Sequence, residues 1–356
     1  MVNRIILFAL LSAVSVTANA QATKWPAQDG NYTIKNFRFG TGESLPELKL
    51  HYLTLGTPHR NAAGKIDNAV LMLHGTGGTA HSLISPEFTT VLYGPGQPLD
   101  ITKYFLILPD DIGHGQSSKP SDGLHAHFPA YDYDDMVASQ RQMLDHMKID
   151  HLRLILGTSM GCMETFTWGV TYPQFADALV PLACLPVELA GRNRMIRYAT
   201  MQLIREDPAW NNGEYTTQPP AVRLTSIMNS VQTAVPLQAQ KNAPTRKLAD
   251  AQVDKMLAAP NHTDANDLLY WTDASRNYNP EPKLSTITAH VLWINSADDH
   301  TNPAELGIAE KTVTRMPHAR FVLIPISDET RGHGTSSVVH LWKDNFVQLM
   351  KETPPQ

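Results

Sequence analysis

The stretch from Leu152 to Gly161 restricts what this chain can become more than any other. An apolar run of strand length, Leu152 to Leu156, ends in Gly157-Thr158-Ser159-Met160-Gly161. Glycines two residues before and after a serine let a strand and the following helix approach without Cβ clashes, and the serine then sits in strained backbone on the turn between them. That turn lifts the hydroxyl clear of the sheet, which is the geometry of a nucleophile elbow. The residues beyond fit the helix such a turn must feed. Met163, Phe166 and Val170 recur at helical spacing between Cys162 and Tyr172, and Pro173 stops the run. A serine exposed on an ordinary tight turn would need neither flank.

With 356 residues, 42% of them hydrophobic, the chain has material for one large folded unit or two small ones. A net charge of −5 and the lack of any Lys/Arg cluster argue against a phosphate backbone, so no nucleic-acid partner is expected. Residues 1–20 read separately. Arg4, the apolar run Ile5 to Val16 and Ala18-Asn19-Ala20 have the form of a signal peptide, and the run is too short to span a bilayer. The expectation is a periplasmic or secreted protein, cleaved near Ala20, with no stable membrane insertion. The two cysteines, Cys162 and Cys184, suit an oxidising compartment. A bridge between them is open if the strands leading to them are neighbours; buried free thiols are the alternative.

Past residue 20, Tyr32 to Phe39 and Leu48 to Leu55 alternate polar and apolar residues about Gly40-Thr41-Gly42-Glu43, which predicts an antiparallel hairpin. Ala69 to Leu73 and Tyr104 to Leu108 are short continuous apolar runs, as parallel strands covered on both faces require. Tyr133 to Met147 carries a helical pattern, and the alternation of strand and helix predicts a doubly wound, mostly parallel α/β sheet. From about Pro186 to Leu284 helical segments rich in Met, Trp and Arg follow one another without a clear strand, so residues 186–285 read as a helical cap inserted in a core of residues 21–185 and 286–356. Strands resume at Val291 to Ile294 and Phe321 to Pro325, and a final helix is expected from Ser337 to about Met350.

An activated serine needs a base within hydrogen-bond reach and a carboxylate to orient that base. On a sheet of this kind the partners follow the serine in the order acid, then histidine. Of the 15 histidines, His300, His318, His333 and His340 come late enough. His340 is expected inside the last helix, His318 before a strand at the opposite edge, and His300 beside the candidate acid. His333, in the loop after the final strand, is the expected base. The acid falls just past Val291 to Ile294, at Asp298 or Asp299, and the residues alone leave both open. Developing negative charge on the substrate oxygen needs preorganised donors. The Met160 amide is one. His74-Gly75-Thr76-Gly77-Gly78, directly after a strand, resembles the oxyanion loop of lipases and esterases and offers the Thr76 amide, with Gly77 next.

These residues together resemble an α/β-hydrolase over nearly the whole length after residue 20, and within that superfamily the homoserine O-acetyltransferase group. The matches are Gly157 to Gly161 followed by Trp168 and Tyr172-Pro173, then Phe128-Pro129, Asp134-Asp135-Met136-Val137, and Asp207-Pro208-Ala209-Trp210-Asn211-Asn212-Gly213-Glu214-Tyr215. The resemblance implies an acid four residues before a proline, and Pro303 thereby selects Asp299. The chain departs from the group at Thr158 and Cys162, which stand where a second glycine pair is usual, and between Gln240 and Asp264. The group's substrate-binding arginine has no matching position; Arg192, Arg194 and Arg197 are available but read as a solvated helix face. His125 and His127 lack further ligands at metal spacing. Tyr270, Trp271 and Trp210 fit either an acyl pocket or the interior of the cap.

The function expected from these residues is an exported serine hydrolase acting on a small-molecule carboxylic ester or related acyl compound, with no cofactor and no metal. Its parts are Ser159, His333, Asp299 and the Thr76 and Met160 amides. An O-acyltransferase using the same acyl-enzyme is the alternative, and a non-catalytic binding protein on a hydrolase scaffold a second. A homodimer is left open.

Overall fold

The computed structural model describes residues 25–353, so the expected signal peptide lies outside the described residues. Eight strands form one sheet in the order β1-β2-β4-β3-β5-β6-β7-β8. The first two, β1 (Gln28–Arg38) and β2 (Ser44–Leu55), are the expected antiparallel hairpin. β2 runs antiparallel to β4 (Phe105–Pro109). The remaining pairs are all parallel and join β4 through β3 (Ala69–Leu73), β5 (Leu152–Thr158), β6 (Ala176–Leu182) and β7 (His290–Ser296) to β8 (Ala319–Ile324).

The continuous apolar runs are explained by where their side chains go. Alternate residues of a strand face opposite sides of a sheet. In β3, Leu71 and Leu73 join one core cluster while Val70 and Met72 join the other; in β7, Val291 and Trp293 face one side while Leu292 and Ile294 face the other. Helices cover both sides, so every face of these strands is dry. Trp293 is fully buried and meets Phe166 of the helix after the elbow edge-on, with ring centres 5.7 Å apart. Truncating such a side chain to alanine costs roughly 3–5 kcal/mol.

Between β6 and β7 the described chain forms helices at Gly191–Arg205, Pro220–Thr233, Pro236–Asn242, Arg246–Ala258 and Ala265–Asp273. Ile204, Ala221, Val222, Ala265 and Leu269 from three of them make a small core of their own. The last helix differs from the sequence expectation. It spans Lys343–Glu352, and Gly332–Ser337 and Val339–Leu341 before it are separate 3₁₀ turns. Gly332 takes a left-handed φ of 57°, and the Trp342 indole donates to the Ser336 carbonyl at 3.2 Å. These ties shape the segment around His333 instead of letting it run on as a helix. His340 therefore lies on the second turn, exposed beside Glu329, and not in the final helix.

Candidate active site

β5 delivers Ser159 to the carboxyl edge of the sheet, where open α/β sheets bind ligands. The serine has φ 55° and ψ −107°, a strained conformation for a residue with a side chain, and it begins the helix Met160–Thr171. The two glycines of the elbow are required by contact. A Cβ on Gly157 would lie 2.0 Å from the Gly161 carbonyl oxygen, and one on Gly161 would lie 2.4 Å from the Leu73 oxygen. β3 and the elbow helix are thus in backbone contact, and the Gly161 amide donates to the His74 carbonyl at 3.0 Å.

The turns after β7 and β8 bring two further side chains to Ser159. Its hydroxyl lies 2.7 Å from His333 Nε2, and His333 Nδ1 lies 2.9 Å from Asp299 Oδ2. Asp299 also accepts from the Thr301 amide at 2.8 Å and from Asn302 Nδ2 at 2.9 Å, so four donors, counting the Asn302 amide at 3.3 Å, fix its carboxylate. With Asp299 accepting at Nδ1–H, Nε2 is left to accept the serine proton. Asp298, the other candidate, turns away and accepts from the Ser296 hydroxyl. His300, His318 and His340 are not brought to the serine: His318 stacks on His290, and the His300 carbonyl accepts from Arg192.

Burial alone would push the Asp299 carboxyl up, yet the charge and hydrogen bond of His333, with Asn302 and the Thr301 amide, hold it below the usual carboxylate range. His333 shows the reciprocal balance. Burial lowers it, but the Asp299 carboxylate outweighs burial and a nearby Arg197, so the imidazole is raised above its ordinary value. Such a pair is suited to accept a proton and stabilise the resulting imidazolium.

The His74–Gly78 loop lies against Ser159, since a Cβ on Gly75 would be 3.3 Å from Ser159 Cβ. Neither the Thr76 amide nor the Met160 amide donates to an acceptor among the described residues. Thr76, Ser159 and His333 open onto a cavity of about 370 Å³ roofed by the cap, whose wall includes Arg197, Thr200, Asn229, Gln232 and Trp271. Thr200 Oγ1, Asn229 Oδ1 and Gln232 Oε1 have no hydrogen-bond partner among the described residues. Polar groups thus stand among the apolar side chains Ile196, Leu268 and Trp271 in the part of the wall that the cap supplies.

The sequence placed Arg197, with Arg192 and Arg194, on a solvated helix face. It is not part of a solvated face: it reaches Asn193 and Ser275 and lines the cavity. No periodicity could reveal this, because the cavity forms only when the cap folds over the sheet. Among the three aromatic residues left open, Trp271 lines the cavity, stacked on His114 with ring centres 4.9 Å apart, whereas Trp210 packs in the cap core and Tyr270 bonds to the Ala126 and Phe128 carbonyls. Cys162 and Cys184 are joined in a disulfide with a Cα separation of 5.9 Å, which ties the elbow helix to the end of β6. Among the described residues no group of three or more His, Cys, Asp or Glu is gathered closely enough to hold a metal ion.

Comparison with known proteins agrees with this architecture. The alpha/beta hydrolase fold family matches residues 68–326. A homoserine O-acetyltransferase of Desulfotalea psychrophila is 30% identical over 283 residues, covering 69% of this chain and 70% of that one. Among solved structures, a homoserine O-acetyltransferase from Bacillus anthracis superposes with a TM-score of 0.80 at 20% identity, over 93% of this chain and 99% of its own. An acetylester hydrolase from Corynebacterium glutamicum superposes with a TM-score of 0.77, also at 20% identity, over 91% and 96%.

Proposed function

The chain belongs to the α/β-hydrolase family, and from that premise we propose that it is an exported serine hydrolase of small, polar carboxylic esters. The observation that carries the reading is the unbroken chain of hydrogen bonds from Ser159 through His333 to Asp299 at the floor of a cavity. Ser159 Oγ attacks the ester carbonyl carbon while His333 Nε2 takes its proton, and the Thr76 and Met160 amides bind the oxygen that becomes negative. Collapse expels the alcohol, protonated by His333, and leaves an acyl group on Ser159. Water then repeats the sequence, releasing the carboxylic acid and restoring the serine. Asp299 keeps Nδ1 protonated throughout and offsets the imidazolium charge. The cavity volume of about 370 Å³ supports a small substrate, and Thr200, Asn229 and Gln232 in its wall offer it hydrogen bonds.

Export rests on residues 1–20, and the Cys162–Cys184 disulfide supports it, because such bonds persist in oxidising compartments. A second reading, transfer of the acyl group to an alcohol, is favoured by the likeness to the homoserine O-acetyltransferase of Desulfotalea psychrophila. Export weighs against it, since acetyl-CoA is a donor of the cytosol. The experiment is direct: the purified protein is given p-nitrophenyl acetate with and without homoserine, and separately acetyl-CoA with homoserine. Hydrolysis that homoserine does not accelerate supports the proposal. Efficient acetyl transfer from acetyl-CoA, with only trace hydrolysis, overturns it.

A further inference from the structure

Behind Ser159 lies a second polar cluster that none of these chemical steps uses. Asp111 follows β4, Gln140 belongs to the helix Tyr133–His146, and Glu164 and Trp168 belong to the elbow helix; none is more than 1% exposed. The Trp168 indole donates to Gln140 Oε1 at 2.6 Å, which fixes the direction of the amide. Gln140 Nε2 then donates both its hydrogens, one to Asp111 Oδ1 and one to Glu164 Oε2. Glu164 Oε1 has no hydrogen-bond partner among the described residues, and Asp111 Oδ2 has none either but faces His74 Nε2 at 3.4 Å. Two ionised carboxylates in a dry pocket joined by one neutral amide repel, and burial outweighs the relief that the nearby His74 ring gives Asp111, so the pair retains a proton. Burial raises Glu164 well above the usual range, and the neighbouring Asp111 adds to it.

The cluster reaches the oxyanion loop on one side and the elbow on the other. The Asp111 amide donates to His74 Nε2 at 3.3 Å, which leaves Nδ1–H to donate to the Gly75 carbonyl at 2.9 Å. The same carbonyl accepts from the Gly78 amide at 2.9 Å, closing the turn that carries Thr76 and Gly77. Glu164 and Trp168, meanwhile, are on the helix whose first residue is Met160. The two amides assigned to the oxyanion thus come from separate elements, and this cluster bridges them, through the Asp111 amide and carboxyl at His74 on one side and through the Glu164 and Trp168 side chains on the other.

We propose that Asp111, Gln140 and Glu164 are positioning residues for the acyl reaction: they pin the His74–Gly78 turn to the elbow helix and so set the separation of the Thr76 and Met160 amides. The inference rests on the serine-hydrolase reading and adds to it residues that never touch substrate. A core merely stabilised by buried polar groups would lose melting temperature on mutation and keep its kinetics. A positioning cluster loses kcat with little change in KM.

The test uses Glu164→Leu, which deletes the bridge, Gln140→Met, which keeps the volume and removes all three of its hydrogen bonds, and Glu164→Gln, which keeps a neutral hydrogen-bonding group. Each is assayed for kcat and KM on p-nitrophenyl acetate, for the rate of labelling by a p-nitrophenyl phosphonate, and for melting temperature. Removing one oxyanion donor costs about 100- to 1,000-fold in kcat, and loosening both amides is expected to cost on the order of 100-fold in Glu164→Leu and Gln140→Met, with KM within about three-fold. Phosphonate labelling should slow in parallel, because its developing oxyanion uses the same amides. Glu164→Gln should retain activity within about five-fold of wild type. If Glu164→Leu does not fold, Gln140→Met carries the decision. A folded Gln140→Met with wild-type kcat and labelling rate overturns the positioning role. If wild-type Ser159 is itself not labelled, the serine-hydrolase reading has failed instead, so the two failures are distinguishable.

Discussion

Replacing Asp299 by asparagine changes one oxygen into an amino group and should nearly abolish turnover. Asp299 Oδ2 accepts from His333 Nδ1 and Asn302 Nδ2, while Oδ1 accepts from the Thr301 and Asn302 backbone amides at 2.8 and 3.3 Å. An asparagine must place its NH₂ on one of these sides. Facing the backbone, it meets two N–H groups that cannot turn away, and each buried donor left unsatisfied costs about 1–3 kcal/mol. Facing His333, it meets only the Asn302 side-chain amide, which can adjust, and an imidazole that can move its proton to Nε2. The second arrangement is favoured, and it leaves Nε2 protonated and unable to accept from Ser159. A change of this kind costs about 10⁴ in kcat, or roughly 5 kcal/mol of transition-state stabilisation. Loss of the carboxylate also removes what raises His333, so whatever activity survives should have its acid limb at lower pH than wild type. The assay is p-nitrophenyl acetate hydrolysis from about pH 5 to 9 for Asp299→Asn and Asp298→Asn side by side. Asp298, bonded to Ser296, should cost far less. A loss under about 100-fold in Asp299→Asn, or a larger loss in Asp298→Asn, would refute the assignment of the acid.

Ser159→Ala should fold with an unchanged melting temperature and lose about 10⁶ in kcat, as members of such a unit do singly, and His333→Ala should match it; residual activity above about one hundredth in either removes that residue from the mechanism. Because His333 must be neutral to accept a proton and is raised above its ordinary value, kcat/KM for the wild type should fall on acidification with a midpoint above the free-histidine value of about 6.5; a midpoint below that contradicts the Asp299 pairing. The disulfide closes a loop with a sequence separation of 22, which in the chain-entropy account is worth about 3 kcal/mol, so Cys162→Ala/Cys184→Ala should lower the melting temperature by roughly 5 °C under oxidising conditions, and an unchanged value would mean the bond does not form.

What the sequence disclosed and what it withheld divide along a physical line. The hairpin, the parallel strands and the elbow were legible because each follows from a local period or from a backbone demand that only glycine meets. The meeting of Ser159 and His333 at one edge of the sheet was legible for a related reason: a residue just past a strand end lies at the sheet's carboxyl edge. Asp298 and Asp299 were not separable from residues alone, since the loop beyond β7 has no period and a one-residue step reverses which side chain faces His333. The helix end near Ser337 was misread because apolar spacing at Val338, Leu341 and Trp342 is compatible with both a helix and two 3₁₀ turns, and the deciding contacts lie around His333.

The cap withheld the most. Arg197 sits on a helix whose spacing alone suggests a wet face, and it becomes a cavity residue only because the segments Pro220–Thr233 and Ala265–Asp273 fold back over it. Its charge has a consequence for the reaction. Arg197 disfavours the imidazolium that the proposed reaction would form on His333, opposing Asp299, and an arginine cannot shed its proton to relieve the conflict. Besides His333, three donors from Thr301 and Asn302 hold the Asp299 carboxylate at its hydrogen-bond distance of 2.9 Å from the imidazole. The protonation of His333 is therefore set first by burial and by Asp299 from the sheet, with Arg197 from the cap a smaller opposing influence. If the proposed mechanism holds, a change in cap packing that moves Arg197 should shift the acid limb of the pH profile toward higher pH even where it leaves Ser159, His333 and Asp299 undisturbed, and an unshifted limb in Arg197→Gln would contradict this.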